Sequence, residues 1–205
     1  RLTGKDGALI TLTERIDAAL LARCPQLKAV CNIAVGFNNI DLKACTERGV
    51  MATNTPGVLD ASTADFTWAL ILATARRVTE TEAWLRAGQW SGWKLKQFLG
   101  TDVHHATLGI LGMGRIGQAV ARRARGFDMT VLYHNRNRSD EAEVALKAQY
   151  ATKDELLSTS DYVVLTVPLT PETRGLIGRA ELAKMKPTAT LVNVARGAIV
   201  DKDAL

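Results

Sequence analysis

Long hydrophobic runs are missing from this chain of 205 residues. The best candidate, residues 66–75, is much shorter than the roughly 20 residues that a membrane span requires, and Arg76 and Arg77 follow it. The N-terminal residues also lack the charged, apolar and small-residue order of a secretory signal. The sequence therefore predicts a cytoplasmic protein with no membrane partner.

Cysteine is scarce as well. None of Cys24, Cys31 and Cys45 forms a C-x-x-C pair, and none has zinc-finger spacing to a histidine. We therefore predict no metal site, and three reduced thiols that lie partly in the core.

A concentrated charge of one sign is also lacking. The chain has 26 Lys and Arg against 21 Asp and Glu, a net charge of +5, and the basic residues are scattered. No basic stripe with interleaved aromatics and no helix-turn-helix or RNA-binding signature is present, so we predict no nucleic-acid partner. A small anionic ligand explains the basic surplus equally well.

With 47% hydrophobic and 23% charged residues, the composition is typical of a soluble globular protein of one or two domains.

The first part of the chain alternates short apolar runs with helical patterns, which predicts a parallel sheet covered by helices. The turn residues Thr55, Pro56 and Gly57 indicate a domain boundary, so we predict domains at residues 1–56 and 57–205. The predicted elements are strands at residues 8–10, 27–35 and 50–52, and helices at residues 15–22 and 40–48.

A single long helix is predicted for residues 60–86, because Phe66, Ala69, Leu70 and Ala73 recur at helical spacing and form an Ala-rich face that could pack on another helix. The next segment, residues 88–100, has the pattern of a loop and contains two tryptophans. These have two interpretations: ordinary packing at a domain edge, or an arm that docks on a second subunit.

From residue 107 onward, strands and helices alternate regularly, which predicts an open, doubly wound parallel sheet. The predicted strands are residues 108–111, 130–133, 162–167 and 190–194, and the predicted helices are residues 116–125, 141–148, 153–158 and 181–185.

The glycines of a G-x-G-x-x-G motif lie between the first strand and the first helix of this region. Gly112 allows a tight turn, Gly114 leaves the backbone open to a pyrophosphate, and Gly117 lets the helix pack closely on the strand. The N–H groups near Arg115 and Ile116 would bind the phosphates with help from the helix dipole. We predict dinucleotide binding, with a purely structural glycine turn as the alternative.

The residues after the next strand bear on which dinucleotide binds. An NAD site holds the ribose 2′-hydroxyl with Asp or Glu, but Asn135 stands at the expected distance after Gly112 and is followed by Arg136. The planar guanidinium can bind the 2′-phosphate of NADP through two hydrogen bonds. We predict NADP(H) as the preferred cofactor and NAD(H) as possible. The alternative is a solvated charged loop that leaves the choice open.

Arg196 follows the last predicted strand, at the carboxyl edge of the sheet where ligands of such folds bind. Its guanidinium can polarise the ketone of a 2-oxo acid and pair with the carboxylate. The alternative is a structural ion pair with Asp201 or Asp203.

These segments together resemble the D-isomer-specific 2-hydroxyacid dehydrogenases, especially bacterial glyoxylate/hydroxypyruvate reductases, also called 2-ketogluconate reductases. The resemblance implies a Rossmann-type doubly wound parallel sheet preceded by part of a smaller flavodoxin-like α/β substrate domain. It also implies a homodimer that uses NADPH to reduce a small 2-oxo acid (glyoxylate, hydroxypyruvate or 2-ketogluconate) to the D-2-hydroxy acid. The similar segments are residues 34–41, 109–117, 167–173 and 193–201.

The resemblance also implies roles for residues at matching positions. The backbone amides of Val35 and Gly36 would hold the substrate carboxylate, and Arg196 would be the catalytic arginine that stabilises the developing alkoxide. The implied cofactor-binding residues are Gly112, Gly114, Arg115, Ile116, Gly117, Asn135, Arg136, Arg138, Pro168, Thr173 and Val194.

The proton donor is where this chain departs from the family pattern. In the family, the proton donor is a histidine, and both this histidine and the carboxylate that orients it follow the Arg-Gly motif. In this chain, His104, His105 and His134 all precede Arg196. We therefore expect a dinucleotide-binding domain that is incomplete at its C-terminus, in a fragment that binds cofactor but turns over poorly.

Two other functions compete with this interpretation. One is an NAD-linked D-2-hydroxyacid dehydrogenase of the lactate or phosphoglycerate type, which Asn135 and Arg136 disfavour. The other is a non-catalytic dinucleotide sensor similar to eukaryotic transcriptional corepressors, for which the sequence offers no peptide-recognition feature.

Overall fold

The computed structural model describes residues 2–205, which form two parallel sheets flanked by helices. The chain divides into two compact units, with the boundary between Leu59 and Asp60. The predicted α/β class is confirmed, whereas the division into a substrate domain and a dinucleotide-binding domain at residue 56 stays a prediction. In the described part of the chain, no helix is both long and apolar enough to cross a membrane.

The first unit is a three-stranded parallel sheet with two short helices. Its elements are β1 (Gly7–Ile10), α1 (Ala18–Ala22), β2 (Ala29–Asn32), α2 (Leu42–Glu47) and β3 (Met51–Thr53). The strand order is β1-β2-β3, and Ile10, Val30, Leu21 and Cys45 pack together in its core. All three cysteines carry free thiols, buried at Cys24 and Cys45 and exposed at Cys31.

Both helices of the first unit begin later than the periodicity predicts, because an aspartate caps each of them. Asp17 Oδ1 accepts a hydrogen bond from Leu20 N at 2.9 Å, and Asp41 Oδ1 accepts one from Ala44 N at 3.0 Å. A capping residue has extended backbone geometry and therefore lies outside the helix that it caps. The predicted ranges 15–22 and 40–48 are correspondingly too long.

The second unit contains the larger sheet. Its elements are α3 (Asp60–Ala75), α4 (Val78–Arg86), β4 (Thr107–Leu111), α5 (Arg115–Ala124), β5 (Thr130–His134), α6 (Asp140–Leu146), β6 (Gln149–Tyr150), α7 (Lys153–Thr159), β7 (Tyr162–Leu165), α8 (Arg179–Leu182) and β8 (Thr190–Asn193), with 3-10 turns at Arg125–Phe127, Gly197–Ile199 and Lys202–Ala204. Of these, the short edge strand β6 has no counterpart among the predicted elements.

The five strands of the second unit are all parallel, in the order β6-β5-β4-β7-β8. The chain moves outward from β4 in one direction through β5 and β6, and then returns to the other side of β4 with β7. Ligands of open α/β sheets bind at such a reversal, beyond the carboxyl ends of the strands. The strand order therefore predicts a ligand site at the loops that follow β4 and β7.

Apolar side chains cover both faces of this sheet. Ile110 and Val164 belong to the cluster that includes Trp68 of α3 and Val120 of α5, whereas Val163 packs in a second cluster with residues of α7. Burial on both faces is typical of parallel sheets and explains the continuous apolar runs in β4 and β7.

The prediction of a single helix over residues 60–86 is wrong. The chain breaks at Arg77, which adopts a left-handed backbone conformation with φ of 54° and separates α3 from α4. The predicted packing face is also shifted, since Phe66 is 60% exposed while Trp68 and Ile71 are buried. Because α3 packs on α5, the burial of its side chains depends on that contact rather than on apolar spacing alone.

Candidate functional site

The turn after β4 accepts only glycine at its first position. Gly112 has φ of 107°, in the region that side chains rarely adopt. A Cβ there would lie 2.8 Å from Val167 N and 2.9 Å from the Thr166 carbonyl carbon. The Thr166 hydroxyl also donates to Gly112 O at 2.6 Å. The turn is therefore fixed against the end of β7, at the reversal of strand order.

The other two glycines of the motif differ in their surroundings. A Cβ at Gly117, in the first turn of α5, would lie 2.3 Å from Gly112 O. A Cβ at Gly114, which precedes α5, would meet no described atom within 4 Å. Close packing thus requires glycine at Gly112 and Gly117, whereas the surface at Gly114 is open to a ligand.

The N-terminus of α5 provides donors beside this open surface. Gly114 is the capping residue and supplies no side chain to bind the first-turn amides. The N–H groups of Arg115, Ile116 and Gly117 have no acceptor within the helix, and the helix dipole adds positive potential. An unblocked glycine next to these donors fits the phosphates of a dinucleotide.

Asn135, which follows β5, is hydrogen-bonded to the glycine turn. Its Oδ1 accepts a hydrogen bond from Met113 N at 2.7 Å, and Gly112 N donates to His134 O at 3.1 Å. The side chain at the position where NAD sites carry an acid is thus tied to the glycine turn. Sequence reasoning missed this contact, because nothing in the local sequence links Asn135 to Met113.

The two arginines that follow Asn135 have different environments. Arg138 forms a two-pronged ion pair with Glu143, with distances of 3.0 Å and 2.6 Å, and lies over the ring of Tyr150. Hydrogen bonds from Arg138 and from Tyr133 hold the pKa of the Glu143 carboxyl below its usual value. The Arg138 guanidinium is therefore held by Glu143 and Tyr150.

Arg136 is exposed and makes no ion pair within residues 2–205. Glu172 lies near enough to feel its charge: hydrogen bonding from Thr170 lowers the pKa of Glu172, and the Arg136 charge adds to this effect. Both arginines are exposed, and of the two only Arg138 has an ion-pair partner among residues 2–205.

The loop after β7 is closed by a threonine. Thr173 Oγ1 donates to Pro168 O at 2.6 Å and accepts from Thr170 N at 2.8 Å. Pro168 and Thr173, both predicted to line the cofactor, therefore belong to one compact turn that begins beside the glycine motif.

Asn193 shapes the turn that carries Arg196 after β8. Its Oδ1 accepts from Ala195 N at 3.0 Å, and its Nδ2 donates to Arg196 O at 2.8 Å. The half-buried Arg196 side chain donates from Nη1 to Ala195 O at 2.9 Å. The sequence signal for this turn was available, since Asn commonly bonds the backbone two residues ahead. Val194 lies within the turn and packs partly against the core.

In the first unit, Val35 and Gly36 form the loop after β2. The Val35 carbonyl accepts from Asn54 Nδ2 and the Gly36 carbonyl accepts from Asn32 Nδ2, each at 2.8 Å. In the part of the chain that the structure describes, the N–H groups of Val35 and Gly36 donate no hydrogen bond. Backbone donors in such a loop can bind an anion.

The histidines lie before β4 or at the end of β5. His104 and His105 precede β4, and the His134 ring nitrogen Nδ1 is 2.9 Å from Ala151 O. Across residues 2–205, no three His, Cys, Asp or Glu side chains are grouped so that they could bind a metal ion.

A family model described as the NAD binding domain of the D-isomer specific 2-hydroxyacid dehydrogenases matches residues 68–205. The match covers more than half of the chain. The chain belongs to this family. The resemblance noted from the sequence is thereby confirmed, and the glycine turn, α5 and the loops after β5, β7 and β8 all lie within the matched range.

Individual relatives agree with this assignment. The chain is 54% identical over 203 residues to a glyoxylate reductase of Thermococcus gammatolerans, a match that covers 97% of this chain and 61% of the relative. The crystal structure of the TT0316 protein from Thermus thermophilus has a TM-score of 0.93 and 46% identity, covering 100% of this chain and 64% of that one. A D-lactate dehydrogenase from Aquifex aeolicus, complexed with NAD and lactic acid, has a TM-score of 0.92 and 32% identity, covering 99% and 60%. The chain thus spans less than two thirds of the length of these relatives.

The roles predicted for the site residues stay predictions. The structure groups the predicted cofactor residues at the carboxyl ends of β4, β5, β7 and β8, which belong to one sheet. Val35 and Gly36 belong to the first unit.

Proposed function

We propose that the whole protein is a cytoplasmic NADPH-dependent reductase that converts a small 2-oxo acid (glyoxylate, hydroxypyruvate or 2-ketogluconate) to the D-2-hydroxy acid. The observation that carries the proposal is the open surface at Gly114, next to the N-terminus of α5. The exposed Arg136 follows the neighbouring strand β5 and so lies beyond the same carboxyl edge of the sheet. The names of relatives, which include several archaeal glyoxylate reductases, support the substrate class.

The cofactor would be held by residues of the second unit. The amides of Arg115 and Ile116 bind the diphosphate. Gly112 and Gly117 allow the close packing of the turn, and Gly114 leaves its surface open to the ligand. A bound nicotinamide supplies the hydride. The remaining proposed cofactor contacts are Asn135, Arg136, Arg138, Pro168, Thr173 and Val194.

Arg196 and the loop of Val35 and Gly36 would act on the oxo acid. The Arg196 guanidinium donates to the ketone oxygen and stabilises the negative charge that develops on it. The backbone N–H groups of Val35 and Gly36 bind the carboxylate. Loss of one such charge-stabilising donor typically reduces the rate by about 10²–10³.

Arg136 would select NADPH over NADH. An acidic side chain at position 135 would repel the 2′-phosphate, whose charge is about −1.5 to −2 at neutral pH. Asn135 is neutral and already engaged with Met113 N. The exposed guanidinium of Arg136 is able to pair with the phosphate through two hydrogen bonds.

A comparison of kcat/KM for NADPH and NADH with glyoxylate tests this proposal. We expect a clear preference for NADPH, and we expect Arg136→Ala to weaken NADPH binding by about tenfold or more while NADH binding is unchanged. Arg122→Ala, which removes an equal charge at an exposed position of α5, serves as the control and should change neither.

Equal kcat/KM for the two nucleotides, or a preference for NADH, would instead favour an NAD-linked dehydrogenase. Cofactor-dependent peptide binding without turnover would favour a dinucleotide sensor.

We further propose that the protein is a homodimer, and that residues 1–56 belong to a substrate domain and residues 57–205 to a dinucleotide-binding domain.

A further inference from the structure

The loop after β2 has three consecutive peptide groups whose carbonyls are all held. Ala34 O accepts from Thr55 N at 3.0 Å, and the next two carbonyls accept from the side-chain amides of Asn54 and Asn32 at 2.8 Å. In a trans peptide, the C=O and the N–H of the following residue point in opposite directions. Each held carbonyl therefore fixes the direction of one N–H group.

The N–H groups fixed in this way are those of Val35, Gly36 and Phe37. Among the described residues none of the three donates a hydrogen bond, although Val35 and Gly36 are half-buried. Leaving such donors without a partner costs free energy, and donors that are already oriented bind a negative charge without reorganisation. The arrangement is therefore one that an anionic ligand would complete.

Asn32 adds a second observation. The residue is only 2% exposed, yet its Oδ1 has no hydrogen-bond partner within residues 2–205. A buried acceptor without a partner destabilises a fold by about 1–3 kcal/mol, and because Asn39 has an equally unpartnered Oδ1, the feature that distinguishes Asn32 is the partner of its Nδ2. What the amide does provide is the donor that holds Gly36 O.

We infer that Asn54 and Asn32 are positioning residues for the carboxylate of the 2-oxo acid. Asn54 orients the N–H of Gly36 through the Val35 carbonyl, and Asn32 orients the N–H of Phe37 through the Gly36 carbonyl. The inference rests on the proposed function for the identity of the anion, while the orienting contacts are independent of it.

Leucine substitutions in the whole protein test the inference, with Asn39→Leu as a matched control. Asn39 is also a buried asparagine with an unpartnered Oδ1, but its Nδ2 donates to Thr11 O and Glu14 O instead of the carbonyls of residues 34–36. We expect Asn54→Leu and Asn32→Leu to raise KM for glyoxylate by about tenfold, with a smaller change in kcat and unchanged NADPH affinity. Asn39→Leu should lower the melting temperature without raising KM.

A labelling experiment reports on the loop without requiring turnover. The dipeptide Val-Gly occurs once in this sequence, at Val35 and Gly36, so ¹³C-carbonyl valine with ¹⁵N-glycine labels one amide in these 205 residues. Titration with oxalate, which cannot be reduced, should shift the Gly36 resonance. The apparent Kd should be about tenfold weaker in Asn54→Leu than in the wild type or in Asn39→Leu.

The outcomes separate the two proposals. If the wild type reduces no 2-oxo acid but Gly36 responds to oxalate with the expected dependence on Asn54, the positioning role stands and the reductase fails. If the wild type is active but Asn54→Leu and Asn39→Leu change KM equally, the reductase stands and the positioning role is overturned. A Gly36 resonance that does not respond to oxalate overturns the positioning role whatever the activity.

Discussion

Substitution of a glycine in the motif has different physical consequences at different positions. At Gly117 the obstacle is a backbone oxygen of the same turn, 2.3 Å from an added Cβ, whereas at Gly114 no described atom stands in the way. A substitution at Gly117 should therefore disturb the fold, and one at Gly114 should disturb a ligand that approaches from outside.

Paired alanine variants test this difference. Gly117→Ala forces the turn and α5 apart, and such overpacking typically costs about 1–3 kcal/mol, which lowers the melting temperature by several degrees. Gly114→Ala should keep the wild-type melting temperature and weaken NADPH binding by about tenfold or more. The measurements are thermal unfolding without nucleotide and fluorescence titration with NADPH. Wild-type NADPH affinity in Gly114→Ala would contradict the assignment of the open surface to the cofactor.

How far single residues can be predicted depends on where their partners lie in the sequence. The roles of Gly112 and Gly117 follow from a local motif, and the structure gives each the geometry that the motif requires. The bond between Asn135 and Met113 N joins two strand ends, and the bond between Asn54 and Val35 O joins two loops of the first unit. Such contacts depend on strand order and register, which local patterns do not specify.

At the scale of elements, α3 and α4 show why helix boundaries were harder to predict than helices. Neither Gly nor Pro occurs at residues 76 and 77, so the sequence carries no breaker where the chain turns. The Arg77 side chain contacts residues beyond the two helices, over the ring of Phe98 and from Nη1 to Leu99 O at 3.5 Å, and the sequence near Arg77 does not specify these contacts. Periodicity continued across this point, and the predicted helix was therefore too long.

Trp68 joins α3 to helix α5, which covers one face of the sheet. It is 5% exposed, stacks on Phe127 at a centroid distance of 4.6 Å, and donates from Nε1 to Val120 O at 3.1 Å. We expect Trp68→Ala to lower the free energy of unfolding by about 3–5 kcal/mol, because it leaves a large cavity.

Trp68→Phe is the matched variant, since it keeps an aromatic ring for stacking and removes the N–H donor. It should cost about 1–2 kcal/mol, close to the value of one hydrogen bond and a modest loss of volume. Urea unfolding followed by circular dichroism measures both changes. Equal effects of the two substitutions would mean that the hydrogen bond, and not ring packing, joins the helices.

At the scale of the whole molecule, the alternation of strands and helices predicted the doubly wound sheet, because parallel strands need crossover connections and these are right-handed. The strand order itself, with β4 between β5 and β7, places the glycine turn next to the loop after β7. The lack of space for a Cβ at Gly112, which would lie 2.8 Å from Val167 N, results directly from this order.

An apolar surface on the second unit provides the last prediction. The outward side of α3 and the segment 88–100 expose Phe66, Trp93, which is 76% exposed, and Leu95, which is 71% exposed. Exposed aromatic and aliphatic side chains of this kind are enriched at interfaces, so we expect a second copy of the chain to bind here. Trp93→Glu combined with Leu95→Glu should convert the dimer to a monomer, as measured by light scattering after size exclusion at a fixed concentration. Val144→Glu on α6, where the residue is 83% exposed, introduces one such charge elsewhere and should leave the dimer intact. A monomeric mass for the wild-type protein would dismiss this interface.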